Sequence, residues 1–373
     1  MEFKCVKADL HNAIQIVEKA VSLRSTLPII GNILLEATGS GLKLSSNDLE
    51  IGIELLIEAN IGQEGAVLAP AKKFSESIAK LPDGEVSVKI DKSNNILITS
   101  GPHKVNIFGL ATDDFPVLHK LNGGEKINIE AEVLREMISQ TIIAVSLDEA
   151  KQFLNGILVE KEKNELRFIA TDGFRLAKKT TTLRENNNVG LSIIVPSRAM
   201  QEISRILQQE DYQGVVEIVV TKEQISFKFK SVYFISRLIQ GQFPDYRQVI
   251  PKEQKTKITM LRKDLLQASE IASIIARDSA NIIRLEMVDQ KLLITANTSA
   301  IGNTSGLMDV QKEGDNMQPI SFNVRLILDV IKNIDEDSVL ISLNGPLSPG
   351  VITPKEKKDF TYVVMPIRTA ENK

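Results

Sequence analysis

Phe3-Lys4-Cys5-Val6, running on to Leu10, is the stretch that decides the fold, because the chain writes it three times. Ile127-Asn128-Ile129-Glu130 runs on to Leu134, and Ile258-Thr259-Met260-Leu261 runs on to Leu265. Each opening apolar residue stands seven positions before its leucine. Apolar–polar alternation followed by helical spacing reads as a short strand entering an amphipathic helix. The copies lie about 125 residues apart, a period that indicates three copies of one domain and not a solenoid of short units.

Other features recur in the same order. A hairpin follows each first helix: Leu34-Leu35-Glu36 with Leu42-Lys43-Leu44, Leu158-Val159-Glu160 with Leu166-Arg167-Phe168-Ile169, and Leu285-Glu286-Met287 with Leu292-Leu293-Ile294. Period-two alternation bounded by Gly, Asp and Asn is the hairpin signal. A second helix then opens after Ala69-Pro70, Val195-Pro196 and Phe322-Asn323, carrying Phe74, Ile78 and Leu81, then Met200, Ile203 and Leu207, then Leu326, Val330 and Ile331. Proline suits a helix start because that N–H lacks an intrahelical partner anyway. Strands over 86–98, 215–229 and 339–352 close the copies, which end in Phe115-Pro116, Phe243-Pro244 and Met365-Pro366. The fold class is therefore α+β, with domains at 1–121, 122–252 and 253–373, each made of two helices packed on antiparallel sheets.

A chain of 373 residues that is 43% hydrophobic can fill three ordinary cores. No apolar run is long enough to span a bilayer and no signal peptide opens the chain, so a cytoplasmic location is expected. The single cysteine, Cys5, fits a reducing compartment. Net charge is −3, yet the six helical windows together carry about +5 and leave about −8 elsewhere. Only the window 131–144 is acidic. A basic lining on an acidic body is a field that whole-chain charge conceals, although solvated helix faces give the same count.

Catalytic patterns do not emerge. His11, His103 and His119 lack metal-ligand spacing, and there is no P-loop, dinucleotide glycine pattern or nucleophile elbow. Gly39-Ser40-Gly41 reads as a turn, and Asp172 and Asp245 as makers of turn hydrogen bonds or ion pairs. No cofactor is expected. An enzyme with a dispersed site and a repeat-built interaction scaffold both remain compatible with the pattern alone.

Several segments resemble the bacterial sliding clamp family, the beta subunit of DNA polymerase III. They are Arg24-Ser25-Thr26-Leu27-Pro28-Ile29-Ile30-Gly31-Asn32, Phe153-Leu154-Asn155-Gly156, Ala170-Thr171-Asp172-Gly173-Phe174-Arg175-Leu176-Ala177, Phe243-Pro244-Asp245-Tyr246-Arg247, Phe322-Asn323-Val324 and Tyr362-Val363-Val364-Met365-Pro366-Ile367-Arg368. The resemblance implies a head-to-tail homodimeric ring of six domains, a processivity factor without a catalytic site that encircles duplex DNA and tethers the polymerase. Twelve lining helices at ~8–10 Å spacing leave a hole on the order of 20–28 Å wide, enough for a hydrated duplex. Weak phosphate contacts suit such a device, because tight ones would stop it sliding.

The same resemblance implies site residues. Arg24, Lys72, Lys73 and Arg198 would face DNA phosphates, which carry no direct sequence information. Leu154, Thr171, Gly173, Phe174, Arg175, Leu176, Pro244, Arg247, Val249, Val363, Met365, Pro366 and Ile367 would form a pocket for partner peptides. Methionine suits a site that accepts several partners. Val105 and Ile107 would meet Ile274 and Ile275 across the dimer interface. Implied partners are double-stranded DNA, a second copy, the polymerase III alpha subunit, the clamp loader, and other polymerases and repair proteins, with no membrane. Phe174 stands where the family often has histidine, Gln248 replaces a frequent arginine, and Thr369 to Lys373 extend past the usual end.

Overall fold

The computed structural model describes residues 1–22, 27–184 and 190–369. The first copy contains β1 (Glu2–Val6), α1 (Lys7–Val17), β2 (Asn32–Thr38), β3 (Gly41–Asn47), β4 (Ile51–Ile57), β5 (Asn60–Gln63), β6 (Gly65–Pro70), α2 (Ala71–Lys80), β7 (Glu85–Ile90), β8 (Asn95–Ser100) and β9 (His103–Phe108). The second contains β10 (Glu125–Glu130), α3 (Ala131–Ile142), β11 (Gly156–Glu162), β12 (Glu165–Thr171), β13 (Arg175–Thr182), β14 (Leu191–Pro196), α4 (Ser197–Gln209), β15 (Val215–Val220), β16 (Gln224–Phe229) and β17 (Val232–Arg237). The third contains β18 (Thr256–Leu261), α5 (Arg262–Ala276), β19 (Ile282–Val288), β20 (Lys291–Thr298), β21 (Gly302–Asp309), β22 (Gln311–Gly314), β23 (Ile320–Asn323), α6 (Val324–Lys332), β24 (Ser338–Leu343), β25 (Gly350–Pro354) and β26 (Phe360–Val364).

The strand-to-helix openings form because alternation buries one side of the strand and helical spacing then takes over. Phe3 and Cys5 are buried on β1 while Lys4 is exposed, and Leu10, Ile14 and Val17 are buried on α1. Full burial of each such side chain contributes about 1.5–3 kcal/mol. Pro70 is the N-cap of α2, one position before the first helical residue. Asn323 caps α6 through its side chain, which accepts from the Arg325 N–H at 3.0 Å. No helix among the described residues is long and apolar enough to cross a membrane.

The chain divides into two compact units: residues 1–132 with 202–238, and residues 133–201 with those from 239 onward. The first holds a five-stranded sheet, β5-β1-β7-β8-β9, and an eight-stranded sheet, β10-β15-β16-β17-β4-β3-β2-β6. The second holds a nine-stranded sheet, β14-β11-β12-β13-β26-β25-β24-β18-β22, and a four-stranded sheet, β21-β20-β19-β23. Every copy thus divides its strands between two sheets, and the two larger sheets are shared between copies. Strand β17 of the second copy pairs antiparallel with β4 of the first, Val232 to Leu55 through Ser236 to Ile51. Strand β26 of the third pairs in the same way with β13 of the second, Arg175 to Val364 through Lys179 to Phe360. Copy boundaries in sequence are therefore not sheet boundaries, which alternation alone did not reveal.

Candidate functional site

The β12–β13 turn is held by its own side chains. The Asp172 carboxylate accepts from the backbone N–H groups of Phe174 (2.8 Å) and Arg175 (3.0 Å), the Asx-turn geometry that short acidic side chains favour. Gly173 between them has φ +93°, which only glycine adopts without strain. Thr171 donates to the Arg175 carbonyl at 2.6 Å. The Met365 N–H donates to the Phe174 carbonyl at 2.9 Å, so the chain leaving β26 is pinned to this turn. Beyond it the Ile367 N–H donates to the Ser321 carbonyl at 2.8 Å.

These elements frame a cleft of about 180 Å³ within the second unit. Ligand pockets for drug-sized molecules run to about 300–1,000 Å³, so this space suits one or two anchoring side chains. Of the residues expected from sequence, Leu154, Thr171, Gly173, Arg175, Leu176, Pro244, Val249, Val363 and Met365 line it. Its floor is a buried cluster of Leu158, Ile169, Leu176, Ile194, Tyr246 and Val363, and Met365 at 38% exposure stands at its mouth. Phe174, Arg247, Pro366 and Ile367 are not among the lining residues. Phe174 is 69% exposed on the turn beside the cleft, and Arg247 stacks on the outer side of Tyr246, its guanidinium 4.8 Å from the ring centre.

Two lining residues, Asp245 and Tyr246, were not expected. Their signal lay inside the Phe243-to-Arg247 motif, where an aromatic follows a turn acid. Asp245 caps a single helical turn by accepting from the Arg247 N–H at 3.2 Å, and Gln248 donates to its other oxygen at 2.9 Å. The Tyr246 hydroxyl donates to Glu160 at 2.7 Å, and Arg247 pairs with the same carboxylate at 3.0 Å. Burial and that carboxylate push the Tyr246 phenol up to about 12, so the ring presents a neutral wall. Arg175 is committed to Asp172 at 3.0 Å and to Asp329. The cleft is therefore apolar inside, with its nearby charges already paired, and can take uncharged anchors without stranding an ion.

The expected DNA-facing residues are dispersed. Lys72 and Lys73 are exposed on α2, Lys73 within 3.1 Å of Glu76, while Phe74 and Ile78 of that helix face the core. Arg198 is exposed in the first turn of α4. Arg24 lies outside the described residues. Val105 and Ile107 are half-buried on β9, the edge strand of the five-stranded sheet. On α5 Ile274 is 63% exposed and Ile275 half-buried, so Ile274 is not a core residue of its own copy.

Three family models match the chain. Residues 1–119 match the DNA polymerase III beta subunit N-terminal domain, residues 128–245 its central domain and residues 247–368 its C-terminal domain. The beta sliding clamp of Bacillus subtilis is 32% identical over 380 residues, covering 99% of this chain and all of that one. The crystal structure of a B. subtilis DNA polymerase sliding clamp superposes with a TM-score of 0.95 at 32% identity, covering 99% of both chains. A Pseudomonas aeruginosa sliding clamp solved bound to griselimycin gives 0.94 at 28% identity, covering 99% of this chain and all of that one. The chain belongs to the DNA polymerase III beta subunit family: it is a sliding clamp, a non-catalytic processivity factor whose partners are DNA and a polymerase.

Proposed function

We propose that two copies of the chain close head to tail around duplex DNA, and that the cleft beside Met365 docks short peptides of the partners the ring carries. The observation that supports closure is the pattern of strand pairing. The last strand of one half-sheet meets the outer strand of the preceding copy twice, as β17 on β4 and as β26 on β13. The corresponding strands left over are β9 in the first copy and β21 in the third, each at a sheet edge. An unpaired edge is a template for another chain, and pairing β9 of one copy with β21 of another repeats the junction and closes a ring after two chains.

Exposed apolar side chains support the same surfaces. Phe108 flanks Val105 and Ile107 at β9, while Ile271 and Ile274 on α5 and Leu307 on β21 are exposed in the third copy. In this reading Val105 and Ile107 meet Ile274 and Ile275 across the interface. The clamp domains are 1–121, 122–252 and 253–373, and Lys72, Lys73, Arg198 and Arg24 approach phosphates without regard to sequence. The cleft serves the polymerase III alpha subunit, the clamp loader that opens the ring, and other polymerases and repair proteins. Phe174, Arg247, Pro366 and Ile367 form its outer rim. The setting is the bacterial cytoplasm, where replication takes place, away from any membrane.

Met365→Ala tests the docking assignment. Removing the wall at the mouth should weaken a clamp-binding peptide at least about tenfold, as truncating an interface anchor does, while gel filtration still shows the dimer. Monomers from this variant would mean that cleft and interface have been confused, and unchanged affinity would remove Met365 from the docking site.

A further inference from the structure

Tyr246 has two faces, and the second borders another depression in the same unit. This outer cleft, of about 520 Å³, is lined by Arg167, Lys178, Arg247 and Lys252 together with Glu162 and Glu165. The ring of Tyr246 is a wall of both this cleft and the docking cleft. A chain lying in one therefore has the other immediately beside it.

Two of the four cations are already used. Arg167 bonds to Glu165 at 2.5 Å and to Glu162 at 3.2 Å, and Arg247 pairs with Glu160 at 3.0 Å. Lys178, half-buried on β13, and Lys252, exposed after Pro251, make no ion pair among the described residues. Burial, and then the charge of Arg167, lower the Lys178 pKa. Glu165 and Glu160 act on it in the opposite sense, but Lys178 forms no close pair with either, so an incoming anion can contact its ammonium directly. Glu162 and Glu165 limit what that anion can be. They oppose a run of phosphates, but leave room for one or two carboxylates at Lys178.

We propose that this outer cleft binds aspartate or glutamate side chains flanking the apolar anchors of a docked peptide, with Lys178 and Lys252 as their partners. The proposal rests on the assignment of the neighbouring cleft to peptide docking. It makes the acidity of the flank a determinant of partner choice. Charges at an interface rim act on association rate and selectivity, and do so in a salt-dependent way.

The test uses the full-length protein and labelled ten-residue peptides with a leucine–phenylalanine anchor. Two aspartates, or two asparagines as control, are placed on one flank or the other, and affinity is read by fluorescence anisotropy. On one flank the aspartate peptide should bind about 3–10-fold tighter at 50 mM NaCl, and the advantage should collapse near 0.5 M, where screening is short-ranged. Lys178→Gln combined with Lys252→Gln should abolish the advantage and leave the asparagine peptides unaffected, whereas Met365→Ala should weaken every peptide. If aspartate and asparagine peptides bind wild type equally while Met365→Ala weakens both, the outer cleft is not an acidic subsite and the docking assignment stands. If no peptide binds, or Met365→Ala changes nothing, the docking assignment fails and this proposal with it. A single-stranded oligothymidylate that binds wild type but not the double lysine variant would assign the cleft to phosphates and overturn the proposal.

Discussion

One junction is built twice in this chain, once in each compact unit, and only the second carries the cleft proposed for docking. In the first, the Asp48 carboxylate accepts from the N–H groups of Glu50 (3.0 Å) and Ile51 (2.8 Å), and the Arg237 N–H donates to the Glu50 carbonyl at 2.9 Å. In the second, Asp172, Phe174, Arg175 and Met365 make the same set of bonds. Both turns even place a residue at positive φ, Leu49 at +76° and Gly173 at +93°. The backbone solution is common, and the side chains decide what the junction does. Where the second unit has Leu176, the first has Gly52, and the end of Leu118 lies 2.1 Å from where a Cβ on Gly52 would stand. Leu118 fills that space. Its counterpart Tyr246 is instead drawn to Glu160 and leaves an opening. Arg237 stands where the cleft has Met365, and Leu55 where the second unit has Lys179.

The last of these differences carries the largest expected effect. Lys179 is buried between Glu136 (2.7 Å) and Asp359 (2.8 Å), whereas Leu55 is an ordinary core residue. Lys179→Leu copies the first junction but strands two carboxylates. It should cost about 2–4 kcal/mol in urea unfolding, below the extreme for buried pairs because both carboxylates are partly exposed. A neutral result would show that the two junctions are interchangeable at this position.

Gly52→Leu makes the reverse exchange in the first unit. Leu118 must leave its place, and the overpacking should cost about 1–3 kcal/mol, read as a fall in melting temperature. An unchanged melting temperature would mean that Leu118 does not close this junction. The smallest effect belongs to Tyr246→Phe, which keeps the wall but removes the bond to Glu160, a loss of about 0.5–1.5 kcal/mol. Because the folded phenol is raised from 10.0 to about 12, its contribution is complete below pH 10 and fades between pH 10 and about 12. The variant should lack that alkaline component in pH-dependent unfolding, and an identical profile would place the tyrosine in an ordinary environment.

Much of this comparison could be anticipated from residues. Strands such as Glu2–Val6 and Glu125–Glu130 alternate cleanly, because one face meets a core, and the family resemblance points to Leu154, Leu176, Val363 and Met365 as cleft residues. Asp172 and Asp245 were expected to serve turns, and they do. The sharing of sheets between copies was not legible, because edge pairing such as Phe360 with Lys179 joins residues far apart in sequence and leaves no local pattern. The roles of Lys178 and Lys179 leave no local signal for a similar reason. The carboxylates that let Lys179 be buried lie on other elements, and the cleft that makes Lys178 notable is formed by the distant Tyr246-to-Lys252 stretch. Leu118 gave no signal either, since its role depends on a glycine 66 positions away in the chain.

Both junctions matter because a third, between copies, would complete the ring. The decisive measurement is retention on DNA. The protein is loaded onto nicked circular DNA with a clamp loader and ATP, the circle is cut once, and the bound fraction is followed by gel filtration. A closed ring held by topology slides off the new ends, so the bound fraction should fall to background after cutting and persist on uncut circles. Retention on the linear product would contradict encirclement and leave a scaffold that grips DNA from one side.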